Sequence, residues 1–390
     1  MDNKGAKKQI SKFGMLQGVF FSTHCSYSAF IVYYLISQGY SGSLVGTVMA
    51  VSALMRILGE MFFGYLCDRI KSIKKVFIGS MLLLMFIIIL FRISSNVYII
   101  STLIVLIGFV LLPQSSLIDS WIMGTSEQLA KSYGMMRLFG SIGYALVAWG
   151  LGKSIDTFGW NIMFICIGVF ALITIILAIN IPENYHCSKR LNKNKSNRKR
   201  LFRNAQYIYL VIITLLVMIP HSMVKVFIPV IIENAGGNPS HQGFIAFIIA
   251  IAEVPIFYFM KYILGKYKTN ILILIAILSC ALRIVLLMIS TSITSIIWVN
   301  ILAAITFPLI LSVVRYRINL IAPDGSKTTA QAIATAVVFG LSSMLSSVIG
   351  GIVIDGFGIK ALYYLSLGIS IFVIIIVVSK SIIEFIKTES

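Results

Sequence analysis

Charged residues are scarce in this sequence. They make up 12% of its 390 residues, about half of their usual share in a soluble domain. Hydrophobic residues make up 58% of the chain, and the mean hydropathy is +0.96. A water-exposed surface needs more charge than this composition supplies, so a soluble globular protein is excluded.

Acidic residues are scarcer still. The 13 Asp and Glu stand against 32 Lys and Arg, which gives a formal net charge of +19. Such an excess is common in nucleic-acid-binding proteins. Here, however, the basic residues fall in alternate loops between apolar runs, which is the pattern that orients membrane proteins. We therefore expect membrane lipid, and no nucleic acid, as a partner.

Cysteine and enzyme motifs are also sparse. The five cysteines are odd in number and form no recognisable framework, so we interpret them as small apolar residues, not as disulfides or metal ligands. The sequence has no Walker loop, no HExxH, no paired CxxC and no GxSxG in a strand–turn–helix context. We expect no enzyme activity, no metal site and no cofactor. The cysteines are Cys25, Cys67, Cys166, Cys187 and Cys280.

Apolar runs of about 20 residues, long enough to cross roughly 30 Å of hydrocarbon, recur along the whole chain. They must form helices, because lipid offers no partner to an open backbone. The first run lacks a small-residue cleavage site, so we expect a retained helix and no cleaved signal peptide. Twelve spans are predicted: 14–38, 43–67, 75–93, 97–121, 134–153, 161–181, 206–232, 242–264, 270–290, 295–320, 329–353 and 360–380.

Lys and Arg cluster in the N-terminal tail, the second loop and the stretch 182–205, whereas the intervening loops contain none. This asymmetry predicts that both termini are cytoplasmic. The stretch 182–205 is the only long polar segment. It divides the chain into a six-helix bundle at 1–181, a basic cytoplasmic linker and a second six-helix bundle at 206–390.

The two halves echo each other. The segment from Gly152 through Asp156 to Gly159 recurs as Gly351, Asp355 and Gly358, each time at the end of the fifth helix of its half. Weaker matches pair His24 with His221, Glu60 with Glu253 and Arg92 with Arg283. Internal symmetry of this kind is typical of transporters built from repeats.

The junction of the second and third spans contains Gly64, Asp68 and Arg69 followed by a basic cluster. It resembles the signature loop of the major facilitator superfamily, with Lys71 in place of the second glycine. The resemblance implies an all-α fold of twelve helices in two pseudo-symmetric bundles. It also implies that this loop belongs to a cytoplasmic gate, where the small Gly64 permits close helix packing.

The stretch from Tyr133 to Tyr144 resembles the start of helix 5 in the oligosaccharide-, nucleoside- and phenylpropionate-proton symporter branch of that superfamily. Asp119, 18 residues ahead of Arg137, fits the same branch. The resemblance implies a small-molecule substrate and a proton gradient as the energy source. The lack of an ATPase segment agrees with transport driven by a gradient.

Several charged side chains fall inside the predicted spans, where each costs roughly 2.5–3.5 kcal/mol at mid-bilayer. They must face a bundle interior or an aqueous cavity, and most should be paired. Glu253 and Arg283 lie at depths that a long arginine side chain can bridge, and the symporter branch carries comparable residues. This pair is interpreted either as a proton-coupling site or as a static salt bridge. The charged residues are Arg56, Glu60, Asp119, Arg137, Lys225, Glu253 and Arg283.

The other candidates also have two interpretations each. Arg56 and Glu60, spaced i, i+4, can neutralise each other within one helix or serve the substrate. Asp119 and Arg137 are substrate ligands or part of the inner gate with Asp68 and Arg69.

The last candidates are two histidines, together with two prolines in the seventh span. His24 and His221 are proton or substrate ligands, or hydrogen-bonded interior histidines. Pro220 and Pro229 interrupt the seventh span around Lys225.

The leading hypothesis is a proton-coupled symporter of a small polar or organic-anion solute that works by alternating access. We expect a monomeric multi-pass protein of the cytoplasmic membrane. The alternative is a drug or metabolite efflux antiporter of the same fold. A membrane-embedded enzyme lacks a clustered catalytic set, and a sensor lacks a sizeable soluble domain.

Overall fold

The computed structural model describes residues 3–94, 96–126, 128–129, 132–181, 204–322 and 327–389. Across these residues the regular structure is helical and contains no strand. Helical hydrogen bonding satisfies every backbone group inside one segment, which the hydrocarbon of a membrane requires. The predicted all-α membrane fold is confirmed.

The first six helices correspond to the first six predicted spans. Several begin or end beyond the apolar runs because their terminal turns are polar. For example, α1 begins at Lys7 rather than at residue 14. Their bounds are α1 Lys7–Ser37, α2 Gly42–Ile70, α3 Ile73–Ile93, α4 Val97–Thr125, α5 Tyr133–Phe158 and α6 Asn161–Ile179.

The next four helices follow the predicted spans equally well: α7 Ala205–Asn234, α8 Pro239–Lys266, α9 Thr269–Ile289 and α10 Ile293–Ile321. The last apolar helical segment runs from Ala330 to Lys380 and has 51 residues. At 1.5 Å per residue it is roughly 76 Å long, more than twice the thickness of the hydrocarbon.

Gly358 divides this long segment into two helices. Its φ of 77° and ψ of 178° are not helical, and only glycine adopts them readily. We name residues 330–357 α11 and residues 359–380 α12, which gives twelve helices among the described residues. Gly159, its counterpart after α5, has nearly the same conformation, with φ 74° and ψ 179°. The sequence echo therefore marks a repeated backbone turn.

Four helices are locally irregular. A turn at residues 29–30 interrupts α1, and residues 111–113 interrupt α4 at Pro113. A 3₁₀ turn at Asn300–Leu302 interrupts α10, and α11 contains a π-helix at Ala336–Leu341. Such π-bulges are frequent at functional sites.

Glycines allow α1 and α5 to approach closely. A Cβ on Gly143 would lie 2.3 Å from the carbonyl oxygen of Gly18. A Cβ on Gly140 would lie 2.8 Å from the ring of Phe21. Small residues at such crossings permit backbone contact between membrane helices.

By packing, the described residues form two compact units. The first unit lies within Met1–Gln38, Val51–Arg190 and Asn238–Ala250; the second lies within Gly39–Ala50, Leu191–Gly237 and Ile251–Ser390. The first residues of α2 therefore belong to the second unit, and the first residues of α8 belong to the first unit. The predicted division at a linker stays a prediction, since residues 182–203 lie outside the described residues.

Candidate functional site

Arg283 of α9 is the most deeply buried arginine or lysine among the described side chains of the second unit, with 2% of its surface exposed. Its Nη2 donates a hydrogen bond to Oδ1 of Asn300, 2.5 Å away. Its Nε and Nη1 are buried without a hydrogen-bond partner. Asn300 is held in turn by its own Nδ2, which donates to the carbonyl of Ile296 at 2.7 Å. A buried guanidinium is thus fixed by a neutral amide.

The predicted ion pair between Glu253 and Arg283 is wrong for this structure. Arg283 contacts Asn300 of α10, and the charge that acts on the half-buried Glu253 is Lys225 of α7. The prediction matched the depths of the two side chains in the membrane. Depth does not fix the direction in which a side chain leaves its helix axis, and this direction decides the pairing.

His221 and Lys225 lie one turn apart on α7. His221 is buried, its Nδ1 has no hydrogen-bond partner, and it lies within electrostatic range of Arg283 and Lys225. The prediction that prolines interrupt this helix is wrong, because α7 continues through Pro220 and Pro229 without a break. Within a membrane helix, neighbouring side chains and small local adjustments of the backbone can satisfy the carbonyl groups that a proline leaves without a donor.

Three residues beside this cluster were not predicted from the sequence. The Nζ of Lys225 lies 5.7 Å from the ring centroid of Phe307 on α10. The Phe307 ring packs edge-on against Phe339, 5.7 Å between centroids, and Phe339 lies in the π-helix of α11. Asn300 is the third. As a polar residue inside an apolar run, Asn300 carried a sequence signal; the two phenylalanines carried none.

The first unit contains a second polar cluster along one face of α1. Gln17 donates from Nε2 to Oδ1 of Asp119 on α4, 3.1 Å away. One turn further, the guanidinium of Arg137 on α5 lies 4.1 Å above the Phe21 ring, and its Nη1 is buried without a partner. His24 follows on the same face.

His24 continues this face toward α5. Its Nδ1 lies 3.2 Å from the hydroxyl of Ser28, and its ring lies 6.4 Å from that of Tyr144. Asp119 and Arg137 therefore both contact α1 rather than each other. The substrate-ligand and inner-gate interpretations of Asp119 and Arg137 both stay predictions.

Arg56 and Glu60 form the predicted pair within α2, with Nε 3.3 Å from Oε1. Their side chains are 47% and 39% exposed. The pairing is confirmed; its role in transport stays a prediction.

The loop between α2 and α3 differs from expectation in one respect. A Cβ on Gly64 would meet no atom within 4 Å, so the prediction that this glycine permits close packing is wrong here. The close approach of α2 lies at Gly59, where a Cβ would be 2.4 Å from the carbonyl oxygen of Phe109. Asp68 and Arg69 are exposed near the end of α2.

Lys71, which replaces the second glycine of the signature, has a φ of +56°. The loop therefore keeps the left-handed turn that a glycine would favour. Lys74 then donates to the carbonyls of Ile179 and Ile181 at 2.7 and 2.8 Å. A cation there complements the C-terminal end of α6.

The echoed aspartates cap helices. Asp355 accepts hydrogen bonds from the backbone amides of Gly42 and Ser43 at the start of α2, both at 2.7 Å, within the second unit. Asp156 accepts hydrogen bonds from the amide and the hydroxyl of Ser240 at the start of α8, within the first unit. Carboxylates at these positions satisfy open amides and complement the helix dipole.

Comparison with known proteins gives consistent matches over nearly the whole chain. The family model described as "MFS_1 like family" matches residues 15–365. The uncharacterized transporter YwbF of Bacillus subtilis (strain 168) is 24% identical over 339 residues, covering 86% of this chain and 84% of YwbF. The maltose permease of Geobacillus stearothermophilus is 19% identical over 345 residues, covering 88% and 87%.

Solved structures show the same fold. A mutant of the nucleoside transporter NupG superposes with a TM-score of 0.84 at 13% identity, covering 95% of this chain and 99% of that one. A mutant of the peptide transporter POT superposes with a TM-score of 0.74 at 12% identity, covering 96% and 94%.

Proposed function

Because the chain belongs to the MFS_1 like family, we propose that this major facilitator transporter carries a small polar or organic-anion solute together with protons. Its relatives and structural neighbours are transporters and not enzymes. In this proposal the protein is a monomer in the cytoplasmic membrane with both termini cytoplasmic. It has no cofactor and uses the proton gradient through alternating access.

The main evidence for the proposal is the environment of the Arg283 side chain. Its guanidinium is buried, its one hydrogen-bond partner is the neutral Asn300, and two of its nitrogens have none. Leaving a buried charged donor unsatisfied is expensive. A substrate that brings an anionic or hydroxyl oxygen to this side chain would relieve that penalty. Arginine is the residue best suited to bind carboxylate and phosphate groups.

Proton coupling is assigned to Glu253 beside Lys225. A nearby cation favours the charged form of a carboxyl group, and burial in apolar surroundings favours its neutral form. Movement of Lys225 toward a bound substrate would therefore promote protonation of Glu253. His221 is buried and lies within electrostatic range of Arg283 and Lys225. It is the second candidate for a proton carrier.

The cluster on α1 is a second candidate, within the first unit, for binding polar groups of a solute. Asp119, Gln17 and His24 offer hydrogen-bond acceptors and donors for hydroxyl groups, and Arg137 offers a cation. By their descriptions, the maltose permease carries a sugar, NupG carries a nucleoside and POT carries a peptide. Those solutes are all rich in hydrogen-bonding groups, which supports a polar solute for this chain.

The experiment begins with a thermal-shift screen of the purified protein against sugars, nucleosides and aromatic acids. A hit is then tested for uptake into proteoliposomes with and without an inward proton gradient. We expect accumulation only with the gradient, with acidification of the lumen. Accumulation driven by the opposite gradient would overturn symport and support the efflux antiporter.

The role of Arg283 is tested with the same hit. Arg283→Gln should abolish the thermal shift, whereas Arg92→Gln should retain it. Arg92 is the matched control, because it is an exposed arginine near the end of α3 at the echoed position. A full shift in Arg283→Gln would remove this arginine from the substrate site.

A further inference from the structure

A cavity of about 510 Å³ in the second unit is not used by the proposed transport site. It is bounded by end segments of α7, α8, α9, α10 and α12 and lies at a basic end of these helices. By the distribution of Lys and Arg, this end is predicted to be cytoplasmic. Its volume is that of an ordinary small-ligand pocket.

Three cations line this cavity: Lys268, Arg317 and Lys380. No acidic residue occurs among the described residues that line it. The Nζ of Lys380 lies over the Tyr209 ring, 3.1 Å from its centroid, and Arg317 and Lys380 are half-buried. Positive side chains that line one cavity repel one another, and a bound anion would offset this repulsion.

The first turn of α9 adds further donors. Thr269 and Asn270, the first residues of this helix, line the same cavity. Lys268 is the N-cap residue, and its side chain makes no capping hydrogen bond. The open amides at a helix N-terminus favour phosphate groups. The cations and these amides thus converge on one space.

We propose that this cavity binds a phosphate group, supplied by the headgroup of an anionic membrane lipid. Apolar Leu264, Leu320 and Ile321 line the cavity together with the cations, as the glycerol and acyl region of a lipid requires. The cytoplasmic leaflet is rich in anionic lipid, which attracts basic segments beside the membrane. Free phosphate offers the same oxygens without the apolar part.

The test uses the full chain, purified and delipidated in a neutral detergent. Phosphatidylglycerol, phosphatidylcholine and inorganic phosphate are added separately, and binding is followed by native mass spectrometry and by the midpoint of thermal unfolding. Arg317→Gln and Lys268→Gln each remove one lining cation. Arg315→Gln is the matched control, because Arg315 is exposed on the same helix and does not line the cavity.

We expect phosphatidylglycerol to bind in preference to phosphatidylcholine, with roughly tenfold weaker binding in each lining variant and unchanged binding in Arg315→Gln. Saturable binding of inorganic phosphate that is lost in the same variants would support the phosphate site and identify free phosphate as a source. Equal binding of the two lipids without any phosphate binding would overturn the proposal. So would equal loss of binding in Arg315→Gln. Lys268 is exposed, so its variant keeps the test valid should Arg317→Gln fail to fold.

Discussion

Oδ2 of Asp355 lies 2.7 Å from the backbone nitrogen of Ser43 and 2.5 Å from its hydroxyl oxygen. The carboxylate thus caps α2, although the two residues are 312 positions apart in the chain. Asp156 makes the corresponding contact with Ser240 at the start of α8.

Replacing either aspartate should loosen only its own helix start. An N-cap side chain contributes about 1–2 kcal/mol, which corresponds to a factor of roughly 5–30 in an opening equilibrium. In hydrogen–deuterium exchange, Asp355→Ala should accelerate exchange of the amides at 42–43 by about that factor. Asp156→Ala should do the same at residue 240.

Each aspartate variant is the control for the other, because the two caps lie in different units. Faster exchange at both helix starts in either single variant would show that the caps are not independent. Unchanged exchange at residues 42–43 in Asp355→Ala would show that the carboxylate does not hold these amides.

Lys71→Gly should stabilise the protein. A side chain in the left-handed conformation costs about 1–2 kcal/mol relative to its normal region, and Lys71 has a φ of +56°. Part of this gain is lost because glycine has more freedom in the unfolded chain. We expect the midpoint of thermal unfolding to rise by roughly 1–2 °C. Lys71→Ala removes the same charge but keeps a Cβ, so a gain of equal size in the alanine variant would contradict this explanation.

The sequence predicted the fold better than it predicted individual contacts. Apolar runs determine which segments cross the membrane, so the number of spans and their approximate positions follow from composition. The echo around Asp156 and Asp355 also predicted a structural repeat, because a glycine with positive φ is a local feature. The helices that the two carboxylates cap lie far away in the chain, so these contacts did not follow from the sequence. Helix ends differed, as at α1, because hydrogen bonding continues past the apolar run into polar turns.

The candidate site was only partly predictable. The i, i+4 spacing of Arg56 and Glu60 places the two side chains next to each other on one helix, and the ion pair forms. The partner of Arg283 depends on how α9 is rotated against its neighbours, and hydropathy contains no such information. The same holds for Asp119, whose partner Gln17 belongs to a helix about 100 residues away.

Gly143→Ala should destabilise the crossing of α1 and α5. The added methyl group would lie 2.3 Å from the carbonyl oxygen of Gly18, and overpacking of this kind costs about 1–3 kcal/mol. Gly150→Ala on the same helix is the control, since a Cβ there meets no atom within 4 Å. It should be neutral or stabilising, because alanine favours helix. The measurement is the monodisperse fraction after heating; equal losses in the two variants would contradict close packing at Gly143.

Glu253→Gln tests the coupling of protons to transport. Glutamine keeps the size and hydrogen-bonding capacity of the side chain but cannot exchange a proton. If Glu253 carries the proton, the variant should lose gradient-driven accumulation of the substrate. Counterflow exchange should remain measurable, because it needs binding and reorientation but no net proton movement.

The control for this prediction is Glu233→Gln, which changes an exposed glutamate at the end of α7 and should leave both activities unchanged. Lys225→Gln provides a second arm. Since Lys225 is the cation that acts on Glu253, its removal should change the pH dependence of accumulation. Full accumulation by Glu253→Gln would assign the proton to another group, of which His221, buried on the same helix as Lys225, is the next to test.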